Sequence, residues 1–220
     1  MSHDVSSAGA AGLEPVESEP AFAARLFGPT IDTARQFTKN LAERGEELGL
    51  IGPLELPRLW TRHIANCALL APLLLPGRVG DIGSGAGLPG LVLAIARPDV
   101  DFILLEPMER RVDWLKSQVV ELALSNVEVK RARAEEATDL RPFDQVTARA
   151  VSALSKLIPI CVPLVRSGGE LLFLKGAGVA AEREAAVKAI KKARLAEVEI
   201  LILGEDYGTE ATRVFRAKVD

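Results

Sequence analysis

The stretch of this chain best equipped for chemistry is Asp81-Ile82-Gly83-Ser84-Gly85-Ala86-Gly87-Leu88-Pro89-Gly90. Glycines at 83, 85 and 87 let the backbone take positive φ and approach a ligand closely; without a ligand, three alternate glycines only weaken a fold. Val79 and Ile82 lead in, and the apolar run 91–96 leads out, so the glycines fall between a strand and a helix. A loop there can hold a nucleotide-like cofactor against the helix N-terminus. Pro89 suits a first helical turn, where its missing N–H costs nothing. Glu106 ends Phe102-Ile103-Leu104-Leu105-Glu106, 23 residues after Gly83. An acid at that separation can accept both hydroxyls of an adenosine ribose, or it can simply cap the helix that follows.

Two cofactors compete for the loop. Gly85-Ala86-Gly87-Leu88-Pro89-Gly90 matches the G-x-G-x-x-G dinucleotide fingerprint, whereas residues 81–87 match the D-x-G-x-G-x-G pattern of class I methyltransferases, which bind S-adenosylmethionine. Asp81 favours the second. An anion at the strand tip repels a pyrophosphate but can accept hydrogen bonds from the ammonium of a methionine moiety. Beyond the next strand, a backbone N–H near Ala134 or Glu135 can read an adenine ring. Arg149 ends an apolar strand and Lys175 ends the next one, so both are candidates to meet a substrate. Arg149 suits a carboxylate, a phosphate or a guanine edge, or a plain salt bridge to Asp81. His63 lies on a helix leading into the glycine loop; it either faces the site mouth or is structural. Arg110 and Arg111, with Lys130, Arg131 and Arg133, form a candidate phosphate-binding patch for RNA, or plain solvated surface. After Arg149 there is no Asn/Asp-Pro-Pro-aromatic tetrad to orient an exocyclic amine, and no cysteine is placed to attack a pyrimidine. An acceptor nitrogen that needs no deprotonation fits both facts.

These residues need a scaffold. The 220 residues allow one α/β domain with an appended segment; 48% are hydrophobic and 26% charged, ordinary for a globular chain. A formal charge of −3 argues against a general nucleic-acid coat. Cys67 and Cys161, far apart in apolar segments, read as buried free thiols, and no metal site is expected. No export signal or membrane span is visible, which predicts a cytoplasmic protein. Residues 1–19 read as a disordered tail and 20–76 as an N-terminal helical extension, with one short and one longer amphipathic helix, Thr30 as N-cap between them, and a helix over 56–75. From 77 to 220 strands and helices alternate. Strands are predicted at 78–82, 101–106, 126–131, 143–148, 169–175, 196–203 and 211–219. Helices are predicted at 89–97, 108–124, 153–165 and 179–193, with a short turn at 134–138. This is an α/β, Rossmann-like seven-stranded sheet whose last strand is antiparallel, packing with residues 20–76 as one unit. A dehydrogenase normally adds a second half or a substrate domain, for which there is no length.

The run 79–90 with Ile95-Ala96-Arg97-Pro98 resembles the bacterial small-subunit rRNA guanine-N7 methyltransferase family, RsmG or GidB. So do Arg62-His63-Ile64-Ala65-Asn66-Cys67, Arg110-Arg111, Ala134-Glu135-Glu136 and Ala148-Arg149-Ala150, and the likeness extends from about residue 22 to the C-terminus. The Leu88-Pro89-Gly90 ending is the specific part. The resemblance implies a cytoplasmic enzyme of the class I fold that moves a methyl group from S-adenosylmethionine to N7 of one guanine in the decoding-region loop of 16S rRNA. Its partner would be that rRNA, a small ribosomal subunit or an assembly intermediate, and a monomer is expected. The resemblance also implies cofactor contacts at Gly83, Leu88, the 134–135 backbone and Arg149. To these the residues themselves add Asp81, Gly85, Gly87 and Glu106, with Lys175 and His63 on the substrate side. Rival readings are a methyltransferase for another RNA, a protein or a small molecule, a non-enzymatic RNA-binding module, and a nicotinamide dehydrogenase.

Overall fold

Strands β1 (Arg78–Ile82), β2 (Asp101–Leu105), β3 (Val127–Lys130), β4 (Phe143–Arg149), β5 (Val165–Lys175), β6 (Leu195–Leu203) and β7 (Thr212–Val219) form one sheet in a computed structural model. The structure describes residues 15–137, 140 and 142–220. The order is β3-β2-β1-β4-β5-β7-β6, parallel except that β7 runs antiparallel to both neighbours. From β1 the chain steps outward through β2 to β3, then returns to place β4 on the other side of β1. Crossovers from β1 and β4 therefore leave on opposite faces, and a crevice opens at the carboxyl ends of these two strands. The glycine loop follows β1, and Arg149 closes β4.

Both faces of the sheet are covered, so its central strands are buried almost throughout. On one face Leu91, Leu93, Phe102 and Trp114 join Phe27, Phe37, Leu41 and Ile64 in one core. The N-terminal helices Ala23–Phe27 and Ile31–Arg44 thus share a core with the sheet. Asn40 donates to Gln118 at 2.9 Å in the buried seam, and Arg44 pairs with Glu121 at 2.8 Å outside it. On the other face Phe143, Leu157, Ile158, Phe173 and Phe215 form the second core.

Four expectations need correction. The helix over 56–75 is broken. A 3-10 turn Leu56–Arg58 runs into a π-helix Leu59–Ala65, a short α-turn Asn66–Ala68 and a 3-10 turn Ala71–Leu73. Pro57 and Pro72 begin the two outer turns, each lacking a donor that a continuous helix would use. Thr30 does not cap; its hydroxyl donates back to the Phe27 carbonyl at 2.8 Å. The helix over 179–193 splits into Val179–Ala185 and Val187–Lys192, with the Ala186 N–H shared between the carbonyls of Glu182 and Arg183. Finally, the tail expected over 1–19 lies outside the described residues only to 14. Glu17 accepts from the Thr61 N–H at 2.9 Å, and Glu19 pairs with Arg35 at 2.6 Å, so 15–19 is tied down.

Candidate active site

The glycine loop is built from beneath by Asp81. Its side chain is fully buried, with one carboxylate oxygen accepting from the Gly90 N–H at 3.1 Å and the other from the Thr147 hydroxyl at 3.0 Å. Ser84 donates to the Asp81 carbonyl at 3.0 Å. Burial raises the Asp81 carboxyl to about 6, against the pull of these donors. Gly90 must be glycine for this contact, since a Cβ there would lie 2.4 Å from Asp81 Oδ2. Asp81, expected beside a cofactor ammonium, lies under the loop with one protein donor on each oxygen.

Glu106 does the same from the tip of β2. It is 2% exposed, and its oxygens accept from the N–H groups of Gly85 and Met108, both at 2.9 Å. Trp114 adds a third tie by donating to the Ala86 carbonyl at 3.0 Å. Held this way, Gly83, Gly85 and Gly87 take φ of 69°, 54° and 93°. A Cβ on Gly83 would meet Val151 at 2.9 Å, so the turn has no room for a side chain there.

Two clefts open at the carboxyl edge of the sheet. The smaller, of about 360 Å³, is lined by Gly83, Gly85, Leu88, His63, Arg111 and Arg149, among others. The larger, of about 720 Å³, lies beyond β4 and is lined by Arg62, Arg149, Ser152, Lys175, Glu182 and Arg213 among others. Arg149 belongs to both. Asp81, Gly87, Glu106, Ala134 and Glu135 line neither. Ala134 and Glu135 open the 3-10 turn Ala134–Glu136 after β3, where leading N–H groups lack partners within the turn.

Arg149 is anchored away from Asp81, so the salt bridge considered from sequence is absent. Its Nη2 donates to the Arg62 carbonyl at 3.1 Å and contacts His63 Nδ1 at 2.9 Å, while Nη1 reaches Cys67 Sγ at 3.4 Å. His63 Nε2 in turn lies 2.6 Å from Glu55. Glu55 was not among the sequence candidates, and it also pairs with Arg58 at 2.9 Å and Arg62 at 3.3 Å. Burial, then Arg149, lowers the His63 pKa and outweighs the opposite pull of Glu55. Burial opposes ionisation of Glu55, but the hydrogen bonds from His63 and Arg58 leave its carboxyl lowered. Lys175 is engaged with Glu182 at 2.8 Å and the Ser152 carbonyl at 2.7 Å.

Of the five cations of the expected RNA patch, two are ion-paired. Arg110 donates to the Leu48 carbonyl at 2.6 Å, Arg131 pairs with Glu109 at 3.0 Å, and Lys130 pairs with Glu128. Arg133 is exposed on the turn after β3, while Arg111 points to the smaller cleft as a lining residue. Cys67 and Cys161 are buried free thiols, both raised by burial. Among the described residues no group of three or more His, Cys, Asp or Glu could hold a metal, and no helix is long and apolar enough to cross a membrane.

A family model described as rRNA small subunit methyltransferase G matches residues 30–209. The chain is 65% identical over 204 residues to a ribosomal RNA small subunit methyltransferase G of Clavibacter michiganensis, covering 93% of this chain and 97% of that protein. The counterpart from Leifsonia xyli is 62% identical over 206 residues, with 94% and 99% covered. Among solved structures, the N-methyltransferase NodS of Bradyrhizobium japonicum in complex with S-adenosyl-L-homocysteine superposes with a TM-score of 0.56 at 16% identity, covering 85% of this chain and 98% of that one. A geranyl diphosphate methyltransferase superposes at 0.57 with 13% identity, covering 86% and 98%. At such identity these structures speak for the fold, which is that of the class I methyltransferases.

Proposed function

The chain belongs to the rRNA small subunit methyltransferase G family, and we propose that it transfers a methyl group from S-adenosylmethionine to N7 of one guanine in the decoding-region loop of 16S rRNA. The observation that carries the site assignment is Arg149, a cation standing in the wall common to both clefts. The smaller cleft takes the cofactor and the larger takes the acceptor nucleotide. The cofactor fits a cradle of positive-φ glycines, of which Gly83 and Gly85 line the smaller cleft. When bound, it supplies an electrophilic methyl group on a sulfonium. Backbone at Gly83, Gly85 and Leu88 surrounds the methionine part. Glu106 has lone pairs left to accept from a ribose, since a carboxylate offers about four acceptor sites and two are in use. The first N–H groups of the 134–136 turn, outside the lining of both clefts, would meet the adenine where the cofactor extends past the smaller cleft.

The acceptor side supports N7 in particular. Guanine N7 carries a free lone pair in the groove edge and needs no proton removed. Around Arg149, His63 Nδ1 faces the guanidinium and Lys175 and Glu182 hold each other, with Glu210 in the lining of the larger cleft, and an N7 acceptor asks none of them to take a proton. What the chain does is therefore alignment. Holding the nitrogen in line with the methyl group removes most of the entropy of encounter. Arg149 recognises the guanine edge or a flanking phosphate, with Arg62 and Arg213 on the rim of the larger cleft for the backbone.

The direct test is transfer of tritium from labelled cofactor to small ribosomal subunits lacking N7-methylguanine, followed by mapping of the labelled base. Label at a single decoding-region guanine is expected. Label on another RNA, on protein, or nowhere on competent particles would overturn the assignment.

A further inference from the structure

The chain Glu55–His63–Arg149 has only one arrangement of protons. Arg149 stays charged and donates through every nitrogen, so His63 Nδ1, at 2.9 Å from Nη2, must be the acceptor. The ring proton then lies on Nε2 and is donated to Glu55 at 2.6 Å. A protonated ring would set an Nδ1–H against an Nη2–H. We infer that neutral His63, held by Glu55, is a positioning residue that fixes the Arg149 guanidinium in the wall between the two clefts. Of the five guanidinium hydrogens, His63, the Arg62 carbonyl and Cys67 take three. That leaves the Nε hydrogen and one on Nη1 without a protein acceptor among the described residues, available to whatever fills the clefts. The π-helix Leu59–Ala65 is part of the device. Its wide turn carries both the Arg62 carbonyl and the His63 ring to the same Arg149 nitrogen.

Charges face His63 from each element packed against it. Glu55 and Arg58 come from the preceding turn, Arg62 from its own helix, Arg149 from β4, and Arg111 lines the same cleft. Cys67 lies across Arg149. Burial and then Arg149 hold the imidazole towards its neutral form, and the hydrogen bonds from His63 and Arg58 favour the ionised Glu55.

What the fixed arginine serves rests on the function proposed above; the hydrogen-bond chain itself can be tested without substrate. The sequence holds only His3 and His63, so long-range proton–nitrogen correlation spectra of the full chain, compared with His63→Asn, assign the buried ring. A neutral ring protonated on Nε2 near neutral pH is expected. Glu55→Gln should leave the proton on Nε2, because the amide oxygen can accept it while Nδ1 still faces the guanidinium. In turnover, His63→Ala should lower kcat on the order of 10²-fold, the usual effect of a small misplacement. The KM for cofactor should change less, and His63→Asn, which puts a carbonyl where Nδ1 was, should recover most of the loss. A charged or Nδ1-protonated ring in the wild type would overturn the inference. So would folded Ala and Asn variants of equal activity, and if the Ala variant does not fold the spectra and the Asn variant decide. The expected spectra from a protein that methylates no rRNA would leave the positioning chain standing and remove the proposed function.

Discussion

Asp81 ionises with no surface exposed to water, so its titration is linked to folding. Its folded carboxyl, near 6, lies above the ordinary 3.8, which means the native state holds its proton longer than the unfolded one. Asp81 therefore makes the protein less stable as pH rises from about 4 to about 6, by on the order of 3 kcal/mol at roughly 1.4 kcal/mol per pH unit. Asp81→Asn keeps both contacts, with its oxygen on the Gly90 N–H and its amide on the Thr147 oxygen. The stability difference between variant and wild type should grow in the variant's favour across that window and then stay level, read from unfolding curves at a series of pH values. At Glu106 the amide substitution is damaging. The carboxylate accepts two N–H groups, and a glutamine would turn its own NH₂ onto one of them. Glu106→Gln should cost about 1–3 kcal/mol of stability and weaken cofactor binding roughly tenfold or more, measured by denaturation and calorimetry. The chemical types at 81, 106 and 149 were legible in sequence from their place at strand ends. Their depth was not, because whether a carboxylate faces a ligand or the loop above it depends on which backbone N–H arrives from Gly85 or Gly90. Glu55 was invisible for a related reason: its link to His63 crosses a π-turn, whose spacing no helical periodicity marks.

At the scale of elements, the helix Gly90–Ala96 starts on a residue that a helix would ordinarily prefer to be alanine. Gly to Ala inside a helix stabilises by up to about 1 kcal/mol. At Gly90 the added Cβ would stand 2.4 Å from both Asp81 Oδ2 and Leu104 Cδ2, and overpacking of this kind costs about 1–3 kcal/mol. The clash wins, so Gly90→Ala should lower the unfolding midpoint and release the loop, seen as loss of cofactor binding beyond the loss of stability. Strands were legible within a few residues because buried parallel strands read as short apolar runs between turn residues, as Phe102–Leu105 does. The segment 56–75 was not, because its apolar run suits an α-helix, a π-helix or 3-10 turns equally. Only Pro57 and Pro72 hinted at the breaks.

At the scale of the whole molecule, the N-terminal helices share a core with the sheet. Asn40 is 2% exposed and bonded to Gln118 on the helix Glu109–Glu121. Asn40→Leu would leave the Gln118 carbonyl buried and unpaired, costing about 1–3 kcal/mol, and the denaturant midpoint should fall without loss of cooperativity. Phe37 and Leu41 of the extension lie in the same core as Leu93 of the alternating part.

The position of β7 bears on how the protein is made. Last of the seven strands to be synthesised, it lies between β5 and β6, pairing Phe215 with Phe173 on one side and Ile200 on the other. While a nascent chain still lacks it, β6 has no sheet partner and β5 presents an open edge, which is a template for aggregation. Translation can thus assemble the cofactor half early but cannot finish the sheet until its final ribbon has left the exit tunnel. A chain without residues 212–219 would keep two unpaired edges, on β5 and β6, open to pairing and to proteases.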